Sequence, residues 1–192
     1  MSRPIKIAAV VGSLRAESFN RVLFGAVEEI FAGNGSVIEA SVADVPLYNG
    51  DVEEAGDPPS VTELKQIVAS ADAVIFFTPE YNRSIPAVTK NAVDWLSRPF
   101  GTGPLAGKPV GIVASSPGGH DVAGVREHLA VAASGAGGAV YGESFGLGGV
   151  AAKITDGRLI DDETRSALRE WLDGFVTFIE LEQAARLEAT GS

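Results

Sequence analysis

The 192-residue sequence contains no cysteine, which excludes disulfides, thiolate metal ligands and thiol redox chemistry. Any redox activity would therefore need a bound cofactor. The N-terminal apolar run from Ile5 to Val11 is too short to cross a membrane and lacks a signal-peptide cleavage pattern. We therefore expect a cytoplasmic protein that has no association with a membrane.

Positive charge is scarce, because the chain has 15 lysines and arginines but 25 acidic residues, which gives a formal net charge of −10. Binding of nucleic acid requires a basic face, so we expect no nucleic-acid partner. An anionic cofactor is still compatible with this net charge, because salt screens carboxylates that lie more than about 8 Å away. Nearby arginines and amides then determine the electrostatic interaction with the cofactor. The only two histidines, His120 and His128, do not make a metal site without further ligands.

Strand-like and helix-like patterns alternate along the chain. Strands are expected over residues 5–11, 37–42, 72–78, 108–115 and, as a short fifth strand, 139–141. Helices are expected over residues 19–32, 60–70 (capped by Ser60), 87–98, 122–134 and 162–187. This alternation predicts a doubly wound α/β fold with a parallel sheet, formed by one domain over residues 1–192.

The segment 78–86, with the sequence TPEYNRSIP, lies between the third strand and the next helix. Pro79 ends the strand because it lacks an N–H for the ladder, and Pro86 fits the first turn of the helix. The amides between the two prolines have no obvious partners. Ligands of open α/β sheets bind at the carboxyl ends of strands, and such a loop can hold a flat, heteroatom-rich ring through its backbone. We interpret it as a flavin-binding loop.

The segment 12–21, GSLRAESFNR, joins the first strand to the first helix. It offers unpaired amides, a helix N-terminus and a cation, which together suit a phosphate. Ser13, Ser18 and Asn20 can add side-chain hydrogen bonds, and Arg15 adds a fork of donors. The alternative is an ordinary turn with Ser18 as a helix cap and Arg15 in solvent. The Walker and Rossmann glycine spacings are both absent from this segment.

The segment 115–120, SSPGGH, follows the fourth strand. Its paired glycines, Gly118 and Gly119, let the backbone approach a ligand closely. The loops after strands one, three and four would lie side by side at the switch point of a flavodoxin-like sheet of order 2-1-3-4-5. They would supply a phosphate end, a ring end and a closing wall, which is what a mononucleotide needs.

These three loops, together with the helix segment 90–95 (KNAVDW), resemble the NAD(P)H-dependent FMN reductase family. This family includes many quinone, azo-dye and chromate reductases, and the similarity spans nearly the whole chain. The resemblance implies an FMN cofactor and NADPH or NADH as donor. It also implies two-electron reduction of a quinone, azo compound, chromate or flavin by a ping-pong mechanism, in a homodimer or homotetramer. The helix over 90–95 would then be interface or core support.

The resemblance also implies a role for each loop. The FMN phosphate would be held by Ser13, Arg15, Ser18 and Asn20, beside Phe19. The isoalloxazine would be bordered, largely through backbone groups, by Pro79, Glu80, Tyr81 and Asn82. The ribityl chain and ring edge would be closed by Ser115, Pro117, Gly118 and Gly119. The flavin carries the chemistry, so we expect no indispensable catalytic side chain and interpret Glu80 as scaffold.

Two residues depart from the family pattern. Arg83 could reach a nicotinamide phosphate or a neighbouring subunit, or it could be a solvated loop arginine. His120 could line the acceptor pocket, or it could only pack in its loop, while His128 is expected only to pack. Two alternative functions share the motifs: a flavodoxin-type electron carrier, and an FMN-binding regulatory module without appreciable turnover.

Overall fold

A parallel sheet forms the centre of the protein. The structure is a computed structural model that describes residues 3–190. The sheet strands, in chain order, are β1 (Ile5–Val11), β2 (Gly35–Glu39), β3 (Ala73–Pro79), β4 (Pro109–Ser115), β5 (Ala139–Val140) and β6 (Phe145–Leu147). The order β2-β1-β3-β4-β5, with every pair parallel, confirms the predicted flavodoxin-like arrangement.

The outer position next to β4 is shared by two short strands. β5 pairs with Pro109–Val110 at the start of β4, and β6 pairs with the end of β4, opposite Val113, Ala114 and Ser115. The predicted fifth strand is therefore present, but the sheet has a sixth strand in the glycine-rich segment 135–150, where the sequence pattern indicated only the fifth. Glycines weaken strand patterns, and three residues are too few to show alternation.

Helices cover both faces of this sheet. They are α1 (Phe19–Phe31), α2 (Gly50–Glu54), α3 (Pro59–Ser70), α4 (Ala87–Leu96), α5 (Ala123–Gly135) and α6 (Asp162–Thr190). One core contains α1, α6 and alternate residues of β1 (Ile7, Ala9 and Val11). The other contains α3, α4, α5 and the intervening Ala8 and Val10. Because both faces are covered, the central strands are apolar throughout.

Several predicted boundaries are wrong by a few residues. β2 starts two residues before position 37 and ends at Glu39, short of the expected 42. Ser60 is not the cap of α3: Pro58 holds that position, and Ser60 Oγ donates to the carbonyl of Asp44 at 2.9 Å. The acidic, Pro- and Gly-rich connection over residues 44–59, expected to be a loop, contains the one-turn helix α2, whose Asn49 side chain accepts from the amide of Asp51. A single turn is too short to show periodicity.

The KNAVDW segment contributes four buried residues to α4 and holds the acidic connection over residues 44–59. Trp95 is fully buried, and its Nε1 donates to the carbonyl of Pro46 at 2.8 Å. Asn91 donates to the same carbonyl and accepts from the amide of Tyr48 at 2.8 Å. The segment therefore supports the core, one of the two roles considered for it.

A small hairpin precedes the last helix. It consists of β7 (Ile154–Thr155) and β8 (Arg158–Leu159), and a 3-10 helix, Val150–Lys153, leads into it. Asp161 then precedes α6 and accepts hydrogen bonds from Lys153 Nζ at 2.8 Å and from the amide of Thr164 at 2.9 Å. These hydrogen bonds lower the pKa of Asp161 to about 2, and the bond from Lys153 makes the largest contribution, ahead of those from Thr164. Within residues 3–190, none of the helices combines the length and apolar character needed to span a membrane.

The capping contact of Asp161 predicts a pH-dependent effect of Asp161→Asn. The folded-state pKa is lower than the unfolded value of about 3.9, so the carboxylate stabilises the fold above about pH 4. This contribution is lost as the pH falls through the folded pKa of about 2. The variant should therefore melt below the parent protein at pH 7, and the difference in Tm should shrink between pH 4 and pH 2.

Thermal unfolding followed by circular dichroism from pH 7 to pH 2 measures this difference. Asp162→Asn removes the same charge from the next residue and controls for the change in net charge. A constant Tm difference between Asp161→Asn and the parent over the whole range would contradict the assignment.

Candidate functional site

Three loops leave the sheet side by side at its carboxyl edge. In the register of the sheet, Val11 lies opposite Phe77 and Pro79 lies opposite Ser115. The segments that follow β1, β3 and β4 therefore start from neighbouring positions. A cleft of about 410 Å³ opens between the first two segments, and it is lined by Gly12, Ser13, Leu14, Arg15, Tyr81, Pro86, Ala87 and Val88.

The first loop is held tightly against α4. The amide of Gly12 donates to the carbonyl of Phe77 at 2.7 Å. A Cβ at Gly12 would lie 1.9 Å from Thr89 Oγ1, which itself lies 3.1 Å from the buried Thr78 Oγ1. Only glycine fits at position 12, because any side chain would collide with Thr89. Thr78 and Thr89 were not among the predicted site residues, because no local pattern in the sequence marks their contact.

The start of α1 buries three polar side chains, those of Ser13, Ser18 and Asn20. Ser18 occupies the N-cap position of α1, but its side chain makes no capping hydrogen bond. Its buried Oγ has no hydrogen-bond partner among the described residues. A buried polar group left unsatisfied costs about 1–3 kcal/mol, so this hydroxyl is better explained by a ligand than by capping. Arg15, in the same loop, is exposed, and Phe19 packs partly buried against the core.

Asn20 joins the first loop to the third. Its side-chain oxygen accepts from Ser115 Oγ at 3.0 Å, and both side chains are buried. This hydrogen bond fixes the start of α1 relative to the end of β4. Two residues expected to bind different ends of one ligand are thus in direct contact.

The second loop is a tight turn at the edge of the cleft. The amide of Tyr81 donates to the carbonyl of Ser84 at 3.1 Å, and the amide of Ser84 donates back to Tyr81 at 3.0 Å. These two amides are therefore paired, contrary to the expectation of a loop with free amides. Asn82 and Arg83 between them have φ angles of 51° and 62°, and their side chains are exposed.

The two prolines of this loop are each displaced by one position from their expected places. Pro79 is the last residue of β3 rather than the first residue after it. Pro86 precedes α4 at the N-cap position, with an extended ψ of 148°, and so does not lie within the first turn. Both positions avoid the need for an N–H donor, which is why proline is tolerated there.

Glu80 points away from solvent and anchors the second loop to α5. Its side chain is 1% exposed, and Oε2 accepts from the amide of Val125 at 3.2 Å. A carboxylate is favourable there because the first amides of a helix carry partial positive charge. Oε1 lies 3.2 Å from Nε2 of His120, without the geometry of a hydrogen bond. Glu80 therefore anchors the second loop to α5, and its role towards a cofactor stays a prediction.

The third loop leaves β4 as a glycine turn that β6 supports. The carbonyl of Gly118 accepts from the amide of Gly149 at 2.6 Å, and Ser116 Oγ accepts from the amide of Gly118 at 3.2 Å. Pro117, Gly118 and Gly119 remain exposed. The sequence pattern did not reveal that Gly149 supports this loop, although the glycine-rich segment that contains it is a signal of close backbone packing.

A larger cavity, about 530 Å³, lies between α1 and the β7–β8 hairpin. It touches the first loop only through residues 16–19 and contains no residue of the other two loops. Its charged side chains are largely paired with one another, since Arg158 and Arg165 both bind Glu29 at 3.1 Å. We therefore place the candidate site at the smaller cleft and at the adjoining start of α1, where Ser18 lines the edge of the larger cavity. Within residues 3–190, no three His, Asp or Glu side chains are grouped as metal ligands.

Comparison with known proteins identifies the family. The profile of NADPH-dependent FMN reductases matches residues 5–152. This chain belongs to that family. The resemblance inferred from the three loops is thereby confirmed, while the assignment of individual residues to FMN stays a prediction.

Individual relatives agree with the family assignment. The chain is similar to the quinone reductase of Pseudomonas putida, with 36% identity over 96% of this chain and 100% of the relative. It is similar to the quinone reductase of Escherichia coli, with 38% identity over 94% and 98% of the two chains. The solved flavoenzyme NAD(P)H:(acceptor) oxidoreductase of Paracoccus denitrificans has a similar structure, with a TM-score of 0.82. The two proteins are 33% identical over 93% of this chain and 98% of that one.

The unsatisfied hydroxyl of Ser18 predicts opposite effects of Ser18→Ala with and without FMN. In the FMN-free protein the free energy of unfolding should stay constant or rise, because a buried, unpaired polar group is removed. The affinity for FMN should fall by roughly 1.5–3 kcal/mol, a factor of about 10 to 150, because a hydrogen bond to a charged phosphate is lost.

Denaturant unfolding of the FMN-free protein and flavin fluorescence titration measure the two effects. Ser60→Ala provides a matched control, since Ser60 lies on the distant helix α3 and should leave FMN affinity unchanged. A clear loss of stability in FMN-free Ser18→Ala with unchanged FMN affinity would show that this hydroxyl caps α1 after all.

Proposed function

We propose that this chain is an FMN-dependent NAD(P)H oxidoreductase that delivers two electrons to a small acceptor, with quinones the favoured class. The observation that carries the proposal is the buried, unpartnered hydroxyl of Ser18 at the N-terminus of α1. Ser18 itself lines the edge of the larger cavity, while residues 12–15 of the same loop line the open cleft beside Tyr81. The family assignment and the quinone reductases among the relatives support the same activity.

The phosphate end of FMN would be bound where the first loop meets α1. The helix N-terminus offers unpaired amides and a favourable dipole for an anion. The amides of Ser13, Leu14 and Arg15 donate no hydrogen bond to another described residue, so they are available to a ligand. Ser18 Oγ would complete its hydrogen bonding there, and the exposed Arg15 would add a charge-assisted contact.

The ring end would be bordered by the second and third loops. In this proposal Pro79, Glu80, Tyr81 and Asn82 act through their backbone, because the carboxylate of Glu80 is already bound to α5. Ser115 would face the ribityl chain from the position where it contacts Asn20. The exposed turn over Pro117, Gly118 and Gly119 would close the far side.

FMN, when bound, would supply the group that accepts hydride from NAD(P)H and passes two electrons on in a ping-pong cycle. The protein would position the nicotinamide and the acceptor in turn. Tyr81 is the one aromatic residue among those lining the cleft, so that side is not closed by a pair of aromatic rings. This openness favours an enzyme over a flavodoxin-type carrier, whose ring is typically enclosed by aromatic side chains.

We further propose that residues 1–192 form one cytoplasmic domain that assembles as a homodimer or homotetramer. Large apolar side chains are exposed near the cleft, with Leu14 62% and Tyr81 51% exposed, and burial against a second copy would remove them from water. The family resemblance supports a flavin near such a boundary.

The activity predicts that NADPH or NADH bleaches the yellow FMN-loaded protein without any added reductase. The purified protein should turn over with quinones in the steady state, and an anaerobic stopped-flow trace should show reduction before acceptor is added. Absence of bleaching by either nucleotide would favour the electron carrier. Bleaching without turnover on quinones, azo compounds, chromate, ferricyanide or free flavin would favour the regulatory module.

Arg83 is proposed to contact the 2′-phosphate of NADPH. Arg83→Ala should then raise the KM for NADPH by up to about fivefold, as expected for loss of an exposed ion pair, and leave the KM for NADH nearly unchanged. Steady-state kinetics with each nucleotide measures both constants. Arg158→Ala removes the same charge from an arginine that is remote from the cleft and binds Glu29, so it should change neither. Equal effects of Arg83→Ala on both nucleotides would discard this role.

A further inference from the structure

The turn over residues 81–84, which we call the ring turn, adopts a conformation that its own sequence does not favour. Two successive residues with side chains, Asn82 and Arg83, have left-handed φ angles of 51° and 62°. Asparagine tolerates this region, but arginine rarely adopts it. Such backbone persists only when the surrounding structure enforces it. The two hydrogen bonds between Tyr81 and Ser84 close the turn, but something outside it must hold its position.

The first turn of α5 presses directly on the ring turn. A Cβ on Gly124 would lie 2.6 Å from the carbonyl oxygen of Arg83 and 3.3 Å from Glu80 Oε2. Real Cβ atoms do not approach a backbone oxygen as closely as 2.6 Å, so the absence of a side chain at position 124 lets the two segments touch. Glycine is otherwise unfavourable inside a helix, which indicates that this contact is why a glycine is present.

Two side-chain contacts reinforce this approach from either end of the ring turn. Before the turn, the buried carboxylate of Glu80 accepts from the amide of Val125. After it, Ser84 Oγ lies 2.9 Å from Nδ1 of His128, one helical turn further along α5. The ring turn is therefore bound to α5 at both ends and in contact with it in the middle.

From these contacts we infer that Gly124 and His128 are positioning residues that hold the ring turn in its left-handed conformation. They would act on the cofactor ring and on Arg83 only through that backbone, and neither lines the cleft. The consequence for FMN rests on the proposed function, whereas the effect on the turn itself does not. His128, for which the sequence indicated only packing, thereby acquires a specific role.

Gly124→Ala tests the close contact, and Gly135→Ala is its matched control. Both glycines belong to α5, but a Cβ on Gly135 would meet nothing within 4 Å. Helix propensity alone predicts that both substitutions stabilise the protein. The contact with Arg83 predicts instead that Gly124→Ala displaces the ring turn and that Gly135→Ala does not.

Amide hydrogen exchange of the FMN-free protein, read by mass spectrometry, reports the turn without relying on cofactor or activity. In Gly124→Ala the peptide containing residues 81–84 should exchange about tenfold faster than in the parent, whereas peptides from β1 and β4 should be unchanged. Flavin fluorescence titration should show FMN affinity weakened about tenfold in the same variant. Gly135→Ala should match the parent within twofold in both measurements.

His128→Ala and His128→Asn provide a second, independent pair. Asparagine can place a hydrogen-bonding group close to the position of Nδ1, so it should restore slow exchange at residues 81–84, while alanine should not. If Gly124→Ala accelerates exchange throughout the protein, this pair still tests whether α5 positions the ring turn. His128 is exposed, so its truncation should leave the core intact.

The outcomes separate the inference from the proposed function. Parent-like exchange at residues 81–84 in Gly124→Ala overturns the inference. Identical exchange in His128→Ala and His128→Asn overturns the role of His128. If the parent protein does not bind FMN, the proposed function fails, and accelerated exchange in Gly124→Ala still supports the positioning of the turn.

Discussion

The parallel pairing of β3 with β4 is the constraint on which the site depends. Both strands are buried along their whole length, so their register is fixed by packing on two faces. This register puts Pro79 opposite Ser115, and every later contact between the second and third loops starts from there. The approach of His120 to Glu80 and the support of α5 under the ring turn follow from the same register. A shift of one residue would separate all of them.

The charge distribution explains how an acidic protein can offer a site for an anion. Most arginines outside the cleft are neutralised: Arg21 binds Glu39, and this hydrogen-bonded pair raises the pKa of Arg21 and lowers that of Glu39. By contrast, Arg15 and Arg83 form no ion pair with another described residue. These two arginines are therefore available to an anionic ligand, although the net charge of the chain is −10. Salt screens the charge of the remote carboxylates, so they have little effect on an anion bound at these loops.

The features that depend on local sequence patterns could be predicted. Those that depend on contacts between residues far apart in the chain could not. The apolar runs of β1, β3 and β4 were long enough to define the strands, the sheet order and the three loops. β6 was missed because three residues with a glycine carry no periodicity. The pair Asp156–Gly157, with φ angles of 48° and 71°, is a typical hairpin signal that could have revealed β7 and β8. No local signal could have shown that Gly12 is needed beside Thr89, or Gly124 beside Arg83, because each contact joins residues far apart in the chain.

The outer edge of the sheet, which is divided between β5 and β6, also affects whether another chain can pair with the sheet. An exposed strand with a continuous row of free amides and carbonyls is a template for aggregation. Here β5 and β6 contribute only two and three residues, and Arg126 occupies the break between them by donating to the carbonyl of Ser144 at 3.2 Å. A foreign strand would find no uninterrupted ladder to extend on that side. The same glycine-rich segment that supports the third loop thus protects the sheet against unwanted growth.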